Sequence, residues 1–215
     1  MISKRIKELA SIIPDAKRII DVGCDHALLD IYLASKKSET KFLATDISKN
    51  ALESAKKNIS DNHLENRIET LLTDGLNNIT LNKEDLIVIS GMGTNTIIDI
   101  ISKRLEEINN IIIQSNRDLE TLRNFMVKNN FKILDEKVIF DDYYYVFIRF
   151  SKGKQEYSSE DFWLGPIIKN SSNIEYFKFL LKRYQKILFE IPDHNLKKET
   201  IENRINFLRK LIEKK

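Results

Sequence analysis

Through the first 150 residues, short β-branched runs alternate with longer stretches in which apolar side chains recur every three or four positions. Runs of the first kind read as buried strands and stretches of the second kind as helices packed on them. Arg18–Val22 predicts a strand ending at Gly23, followed by a helix over His26–Lys36. Lys41–Thr45 predicts a second strand ending at Asp46, and Ser48 is placed to cap a helix running to about Asn62, with Ala51, Leu52, Ala55 and Ile59 inward. Arg67–Thr73, Asp85–Ile89 and Asn110–Gln114 predict strands three, four and five, with helices over Asn95–Leu105 and Asp118–Asn129. Phe131–Ile139 and Tyr143–Phe150 are separated only by Asp141-Asp142, which predicts a hairpin. The order describes an α/β fold, a mostly parallel, doubly wound sheet closed by an antiparallel hairpin. A ligand crevice belongs at the carboxyl ends of the first strands, where the strand order reverses.

The pattern changes after Phe150. Ser151-Lys152-Gly153-Lys154 is a polar linker, and Phe162-Trp163-Leu164-Gly165-Pro166 forms a short aromatic segment. Two apolar stripes follow, Ile174, Phe177, Leu181, Tyr184, Leu188 and then Ile201, Ile205, Leu208, Ile212, broken at Ile191-Pro192-Asp193-His194-Asn195. That spacing predicts a helical hairpin of coiled-coil type. The expected organisation is a catalytic domain over 1–152 and an α-helical hairpin domain over 153–215.

Composition narrows the classes. The chain has 215 residues, 42% hydrophobic and 31% charged, as expected of a folded globular protein. No apolar run approaches the roughly 20 residues that span a bilayer. The charged, amphipathic start MISKRIKELASII lacks the pattern of a signal peptide. One cysteine, Cys24, excludes an internal disulfide and a site of several thiolates, so no metal is expected and the cytoplasm is the expected compartment. The net charge of +3 is unevenly divided: residues 1–150 carry 21 basic and 23 acidic side chains, residues 151–215 carry 14 and 9. A basic C-terminal segment is suited to a polyanion, although a solvated helix surface has the same composition.

Four of the six glycines, Gly23, Gly75, Gly91 and Gly93, fall at expected carboxyl ends of strands, where a backbone turns sharply or approaches a ligand. The loop Asp21-Val22-Gly23-Cys24-Asp25-His26-Ala27 resembles a degenerate acidic-x-Gly-x-Gly-x-Gly loop of class I S-adenosylmethionine methyltransferases, with one glycine of three retained. It does not fit the G-x-G-x-x-G loop that cradles a diphosphate. Asp46, with Ile47 beside it, follows the second strand, where an ionised carboxylate can accept from both hydroxyls of a ribose. Asp74-Gly75 follows the third, where an acid can accept from an adenine amino group. Ser90-Gly91-Met92-Gly93-Thr94 lacks the prolines common in enzymes that methylate exocyclic amines of bases.

In order along the chain, Asp25-His26-Ala27-Leu28-Leu29, Asp74-Gly75-Leu76, Gly91-Met92-Gly93, Gln114-Ser115-Asn116 and the Phe162–Pro166 segment resemble the TrmK family of bacterial tRNA (adenine-22-N1) methyltransferases over nearly the whole length. The chain departs from the family pattern at Leu28-Leu29-Asp30 (Tyr-Leu-Pro there), at Thr94 (Gly) and at Ser115 (Pro). The resemblance implies a class I Rossmann-like domain, S-adenosylmethionine as cofactor with S-adenosylhomocysteine as product, tRNA as partner, and a monomer. It implies Asp21, Gly23, Asp25, Asp46, Ile47, Asp74, Gly75, Gly91, Met92 and Gly93 as cofactor contacts, and Asp25, His26 and Asn116 as catalytic residues. Asp25 either serves the target base or anchors the cofactor's amino group; His26 either stacks on the base or caps the next helix; Asn116 is placed to bond base or ribose. Lys178, Lys182, Arg183, Lys186, Arg204, Arg209, Lys210 and Lys214 on the hairpin are suited to phosphates. Methylation of a small molecule or protein, and a catalytically idle RNA-binding scaffold, are the alternative readings.

Overall fold

The computed structural model describes residues 2–192 and 194–215; Met1 and Asp193, each inside a segment discussed above, lie outside them. Two compact units are present, divided between Pro166 and Ile167.

The first unit is built on one seven-stranded sheet in the order β3-β2-β1-β4-β5-β7-β6. The strands are β1 (Arg18–Val22), β2 (Lys41–Asp46), β3 (Ile68–Leu72), β4 (Asp85–Met92), β5 (Asn110–Ser115), β6 (Phe131–Asp141) and β7 (Tyr143–Lys152). The helices are α1 (Lys4–Ile12), α2 (Leu28–Ala34), α3 (Lys49–Asp61), α4 (Thr94–Ser102), α5 (Leu119–Lys128) and the short α6 (Ser159–Trp163). β1 through β5 pair in parallel, and β7 alone runs antiparallel, inserted between β5 and β6. The reason for the near-continuous apolar runs is visible in the burial: Ile19, Ile20, Ile87, Val88, Ile89 and Ile111–Ile113 are all buried, as central parallel strands covered on both faces must be. Ser48 caps α3 as expected, its hydroxyl accepting from Ala51 N–H at 3.3 Å.

β1 pairs on one side with β2 and on the other with β4, so the chain reverses its winding there. Val22 stands level with Thr45 and with Ile89, which brings Gly23, Asp46 and Ser90 to one rim. β4 runs further than its apolar run suggests. A bulge between Ser90 and Met92 lets the strand continue in register with Ser115, so Gly91 (φ +87°) lies inside the strand, not in the loop after it.

The first unit extends past the boundary expected at residue 152. Tyr157 Oη accepts from Ile133 N–H at 2.6 Å. The buried Arg123 guanidinium bonds Glu136 Oε1 at 2.8 Å and the Phe162 carbonyl at 3.0 Å. These bonds tie residues 157–164 to α5 and β6, so the linker lies inside the unit.

The second unit holds a 3-10 turn at Ile168–Asn170 and the helices α7 (Ile174–Glu190) and α8 (Lys198–Glu213), which pack as a hairpin. Tyr176, Phe177, Leu180, Ile201, Ile205 and Leu208 are its buried residues within the helices. Of the stripe expected on α7 only Phe177 is buried; Ile174, Leu181, Tyr184 and Leu188 are half-buried, and Tyr176 and Leu180 are buried instead. Arg204 donates to Tyr184 Oη at 3.3 Å and lies over its ring, which places Tyr184 on the helix seam.

Candidate cofactor-binding and active site

A crevice of about 630 Å³ opens at the carboxyl ends of β1, β2, β3 and β4. Gly23, Asp25, Asp46, Ile47, Asp74, Gly75, Gly91 and Met92 line it, eight of the residues expected to touch cofactor. Asp21 lines a smaller recess of about 130 Å³ that shares Arg5, Gly23, Asp25 and Ser90 with the crevice. Gly93 lines neither; it is the N-cap of α4, with ordinary φ of −77°.

The first loop explains how one glycine can replace three. In the acidic-x-Gly-x-Gly-x-Gly pattern the glycine positions correspond to 23, 25 and 27. All three adopt the left-handed conformation here, with φ of +79° at Gly23, +52° at Asp25 and +53° at Ala27. The backbone path is kept while the side chains depart from the pattern. Aspartate tolerates this region; for alanine it costs roughly 1–2 kcal/mol. The loop is held to β2 by Gly23 N–H and Cys24 N–H, which both donate to the Thr45 carbonyl at 2.8 and 2.9 Å. Gly23 also admits Met92, whose Cε occupies the space a side chain at 23 would need.

Asp46 is organised by two backbone donors. Its Oδ1 accepts from Ser48 N–H at 2.8 Å and its Oδ2 from Asp25 N–H at 3.1 Å. The carboxylate is thereby fixed at the rim with lone pairs left over for a ligand's hydroxyls. Beside it Ile47 is 71% exposed, an apolar surface on which a flat ring can lie. At Gly75 (φ +58°) the backbone approaches α4, where a side chain would press on Ile100. Carboxylate, apolar face and close backbone fit a nucleoside.

Asp25 and His26 are brought together and face solvent. His26 Nε2 lies 3.5 Å from Asp25 Oδ1, and the side chains are 51% and 73% exposed. The capping alternative for His26 is not realised: Ala27 is the N-cap of α2 and no side chain caps it. Asn116 is exposed but its amide is engaged on both sides. Its Nδ2 donates to the Gly91 carbonyl at 2.7 Å and its Oδ1 accepts from Gln114 Nε2 at 3.0 Å. Gln114 Oε1 in turn accepts from Ser90 Oγ and from Gly91 N–H, each at 3.0 Å. The network clamps the β4 bulge.

Two positions at which the chain departs from the pattern it resembles meet each other: Thr94 Oγ1 and Ser115 Oγ are 2.8 Å apart, and both donate to the Arg117 carbonyl. A third, Asp30, is buried against Asp21. Burial pushes Asp21 up to about 7 and Asp30 well above the usual carboxylate range, each with the other's carboxyl as a neighbour. Burial also raises the Cys24 thiol, which is thereby kept unreactive.

Sequence reasoning missed Arg5 entirely. It stands on α1, lines both the crevice and the recess, and lies 5.5 Å from the centroid of the Tyr145 ring, with its backbone N–H donating to Asp141 Oδ2. Contacts across more than 130 residues leave no local signal. Thr96 and Asp99 on α4 and Lys103 at its C-cap also line the crevice; their three- and four-residue spacing could have marked that face of the helix.

Comparison with known proteins places this geometry. The Methyltransferase domain family matches residues 2–148. The TrmK structure from M. capricolum, solved with the natural cofactor product S-adenosyl-homocysteine, is 35% identical, with 99% of this chain and 98% of that one covered at a TM-score of 0.84. The chain belongs to the TrmK family. A Mycoplasma genitalium protein whose name places it among tRNA methyltransferases is 33% identical over 85% of this chain and 87% of its own. The Bacillus subtilis protein named tRNA (adenine(22)-N(1))-methyltransferase is 28% identical over 66% of this chain and 60% of its own. The expected α/β class I fold with a terminal antiparallel hairpin is the TrmK fold.

Proposed function

We propose that this TrmK-family chain methylates N1 of adenine 22 in the D-arm of tRNA with S-adenosylmethionine. The observation that supports the reading most directly is the crevice at the β1/β4 reversal, where Asp46 is fixed by two backbone N–H groups beside exposed Ile47 and the Gly23 loop. Asp46 holds the ribose, Ile47 and Asp74 the adenine, and the Gly23 and Gly91 backbones let the sulfonium end lie close to the sheet. Bound S-adenosylmethionine supplies an electrophilic methyl group.

Adenine N1 has a free lone pair, so no base is needed to activate it. The chain's task is alignment, together with stabilisation of the positive charge that develops on the ring. Asp25, exposed on the rim with His26 beside it, is placed to stabilise that charge and to hold the base. Asn116 acts one step back, keeping the Gly91 bulge in shape. Because N1 is a pairing atom, the adenine must leave its helix before it can react.

Among the described residues no helix is long and apolar enough to cross a membrane. Lys182, Arg183, Arg209, Lys210 and Lys214 are exposed on the helical hairpin and suit tRNA phosphates. We assign the chain to the cytoplasm as a monomer on this reading.

The test is transfer of labelled methyl groups to tRNA, followed by mapping of the modified base. Incorporation is expected with adenine 22 and absent when that base is changed; equal incorporation into both transcripts refutes the site. Asp25→Ala is expected to fold, since the side chain is exposed and its bond to Asp46 is made by the backbone. Its turnover should fall by about 100-fold or more, as when charge stabilisation at a reacting centre is removed. Turnover at the wild-type rate would exclude Asp25 from the mechanism.

A further inference from the structure

Asp30 stands in the first turn of α2, fully buried, and among the described residues neither carboxyl oxygen meets a donor from outside its own backbone in hydrogen-bond geometry. An ionised carboxylate in that position is costly. Its side-chain partner is another acid, Asp21, at the end of β1 and also buried. The other charged and titratable groups near Asp21 are Asp46 from β2, Cys24, Asp25 and His26 from the loop, and Arg5 from α1. β4 contributes the neutral Ser90 to the same recess. Two carboxyls in contact under these conditions share a proton: one donates, the other accepts. Asp30 is sealed in the interior with both oxygens orphaned, whereas Asp21 lines the recess, so the proton belongs on Asp30, which donates, and Asp21 accepts.

The pair lies at a telling place. Asp21 precedes Gly23 by two residues and faces the recess that opens beside the crevice, together with Gly23, Cys24 and Asp25. Asp30 is also one of the positions at which the chain departs from the pattern it resembles. We propose that Asp30 is a positioning residue for the cofactor: its protonated carboxyl donates to Asp21 and holds Asp21 as a hydrogen-bond acceptor under the Gly23 loop, ready for a cationic ammonium group. The proposal rests on the S-adenosylmethionine reading above.

The pair then makes cofactor affinity depend on pH. An ammonium group in the recess favours the singly charged pair over the neutral one. At pH 6 the free pair is mostly neutral and must release a proton as the ligand binds; at pH 8 it is already singly charged. S-adenosylhomocysteine, which carries the same ammonium group, should therefore bind more weakly as pH falls below about 7, by up to about tenfold per unit. Asp30→Asn keeps a donor for Asp21 and should retain wild-type affinity at pH 7.5 within about threefold. Asp30→Leu removes the donor, and should weaken binding by about tenfold or more while shifting the pH midpoint upward.

Isothermal titration of the full chain with S-adenosylhomocysteine from pH 5.5 to 9 measures this. Equal affinity and equal midpoint in wild type and Asp30→Leu would overturn the proposal, as would Asp30→Asn losing as much as Asp30→Leu. A second readout needs neither ligand nor turnover. The infrared carbonyl band of a buried, protonated carboxyl should be present at neutral pH in the wild type and lost in Asp30→Asn; its absence from the wild type overturns the proposal. Failure of the wild type to bind S-adenosylhomocysteine at any pH would instead overturn the cofactor reading, and the proposal with it.

Discussion

Replacement of Asp46 by asparagine is the sharpest probe of the crevice. The carboxylate spends one lone pair on Ser48 N–H at 2.8 Å and one on Asp25 N–H at 3.1 Å, and has two more for the ribose hydroxyls. An asparagine keeps one oxygen. Its amide nitrogen must then face either a backbone N–H, donor against donor, or the ribose, where the charge-assisted bonds are gone. Hydrogen bonds to a charged group contribute about 1.5–3 kcal/mol each, so losing one and weakening the other should cost about 3 kcal/mol, or about 100-fold in Kd. Titration of S-adenosylhomocysteine into the variant measures the loss. A 3′-deoxy analogue closes a double-mutant cycle: the wild type should lose affinity for it, and Asp46→Asn should lose little more. Half-buried at the rim, Asp46 carries little of the core, so the fold should persist by circular dichroism. A Kd within about threefold of wild type, with the loop intact, would refute the ribose assignment.

Arg123→Met should lower unfolding free energy by about 3–5 kcal/mol in urea titrations, because it takes a buried guanidinium from the buried Glu136 carboxylate. Gly165→Ala should be destabilised by about 2 kcal/mol or more, since its Cβ would stand 2.5 Å from Glu136 Oε2 and its φ is +104°; a change below about 1 kcal/mol in either would show that the pair does not organise residues 153–166. Asp21 and Asp30 are both raised on folding, so the stability they contribute is fully present below the ordinary carboxylate pKa and is lost as pH rises from about 4 through 7 and beyond. Asp30→Asn should therefore gain on the wild type between pH 5 and pH 8; a difference in unfolding free energy that is the same at both would contradict the shared proton.

Much of the architecture was legible in the pattern. Arg18–Val22, Lys41–Asp46 and Asn110–Ser115 are strands within a residue of expectation because parallel strands buried on both faces must be apolar throughout. Ser48 marked its helix because a hydroxyl that satisfies a free backbone N–H is a local device. Asp46, Asp74 and the glycine motifs could be placed on one rim because strand ends of a doubly wound sheet converge there. What the pattern could not carry were relations between side chains distant in sequence. Arg5 reaches the crevice because α1 is held against distant parts of the chain, among them Asp141, 136 residues away. Thr94 and Ser115 look like separate departures from a family until the bulged β4–β5 pairing brings them to 2.8 Å. Asn116 has the type and location of a base-binding residue, yet its amide is committed to the bulge it stabilises.

The first loop shows the division most clearly. Its residue types suit either a tight βα turn or a ligand-binding one, and only their coincidence with Asp46, Asp74 and the other strand-end glycines favours a ligand. That positions 25 and 27 share the left-handed backbone of Gly23 is decided by the fold: Gly23 N–H, Cys24 N–H and Asp25 N–H are all bonded to β2, and those bonds outweigh the local preference of aspartate and alanine. The acidity of Asp21 is settled the same way. An isolated aspartate is an anion at neutral pH; removed from water and set against buried Asp30, Asp21 is pushed up to about 7, chiefly by burial.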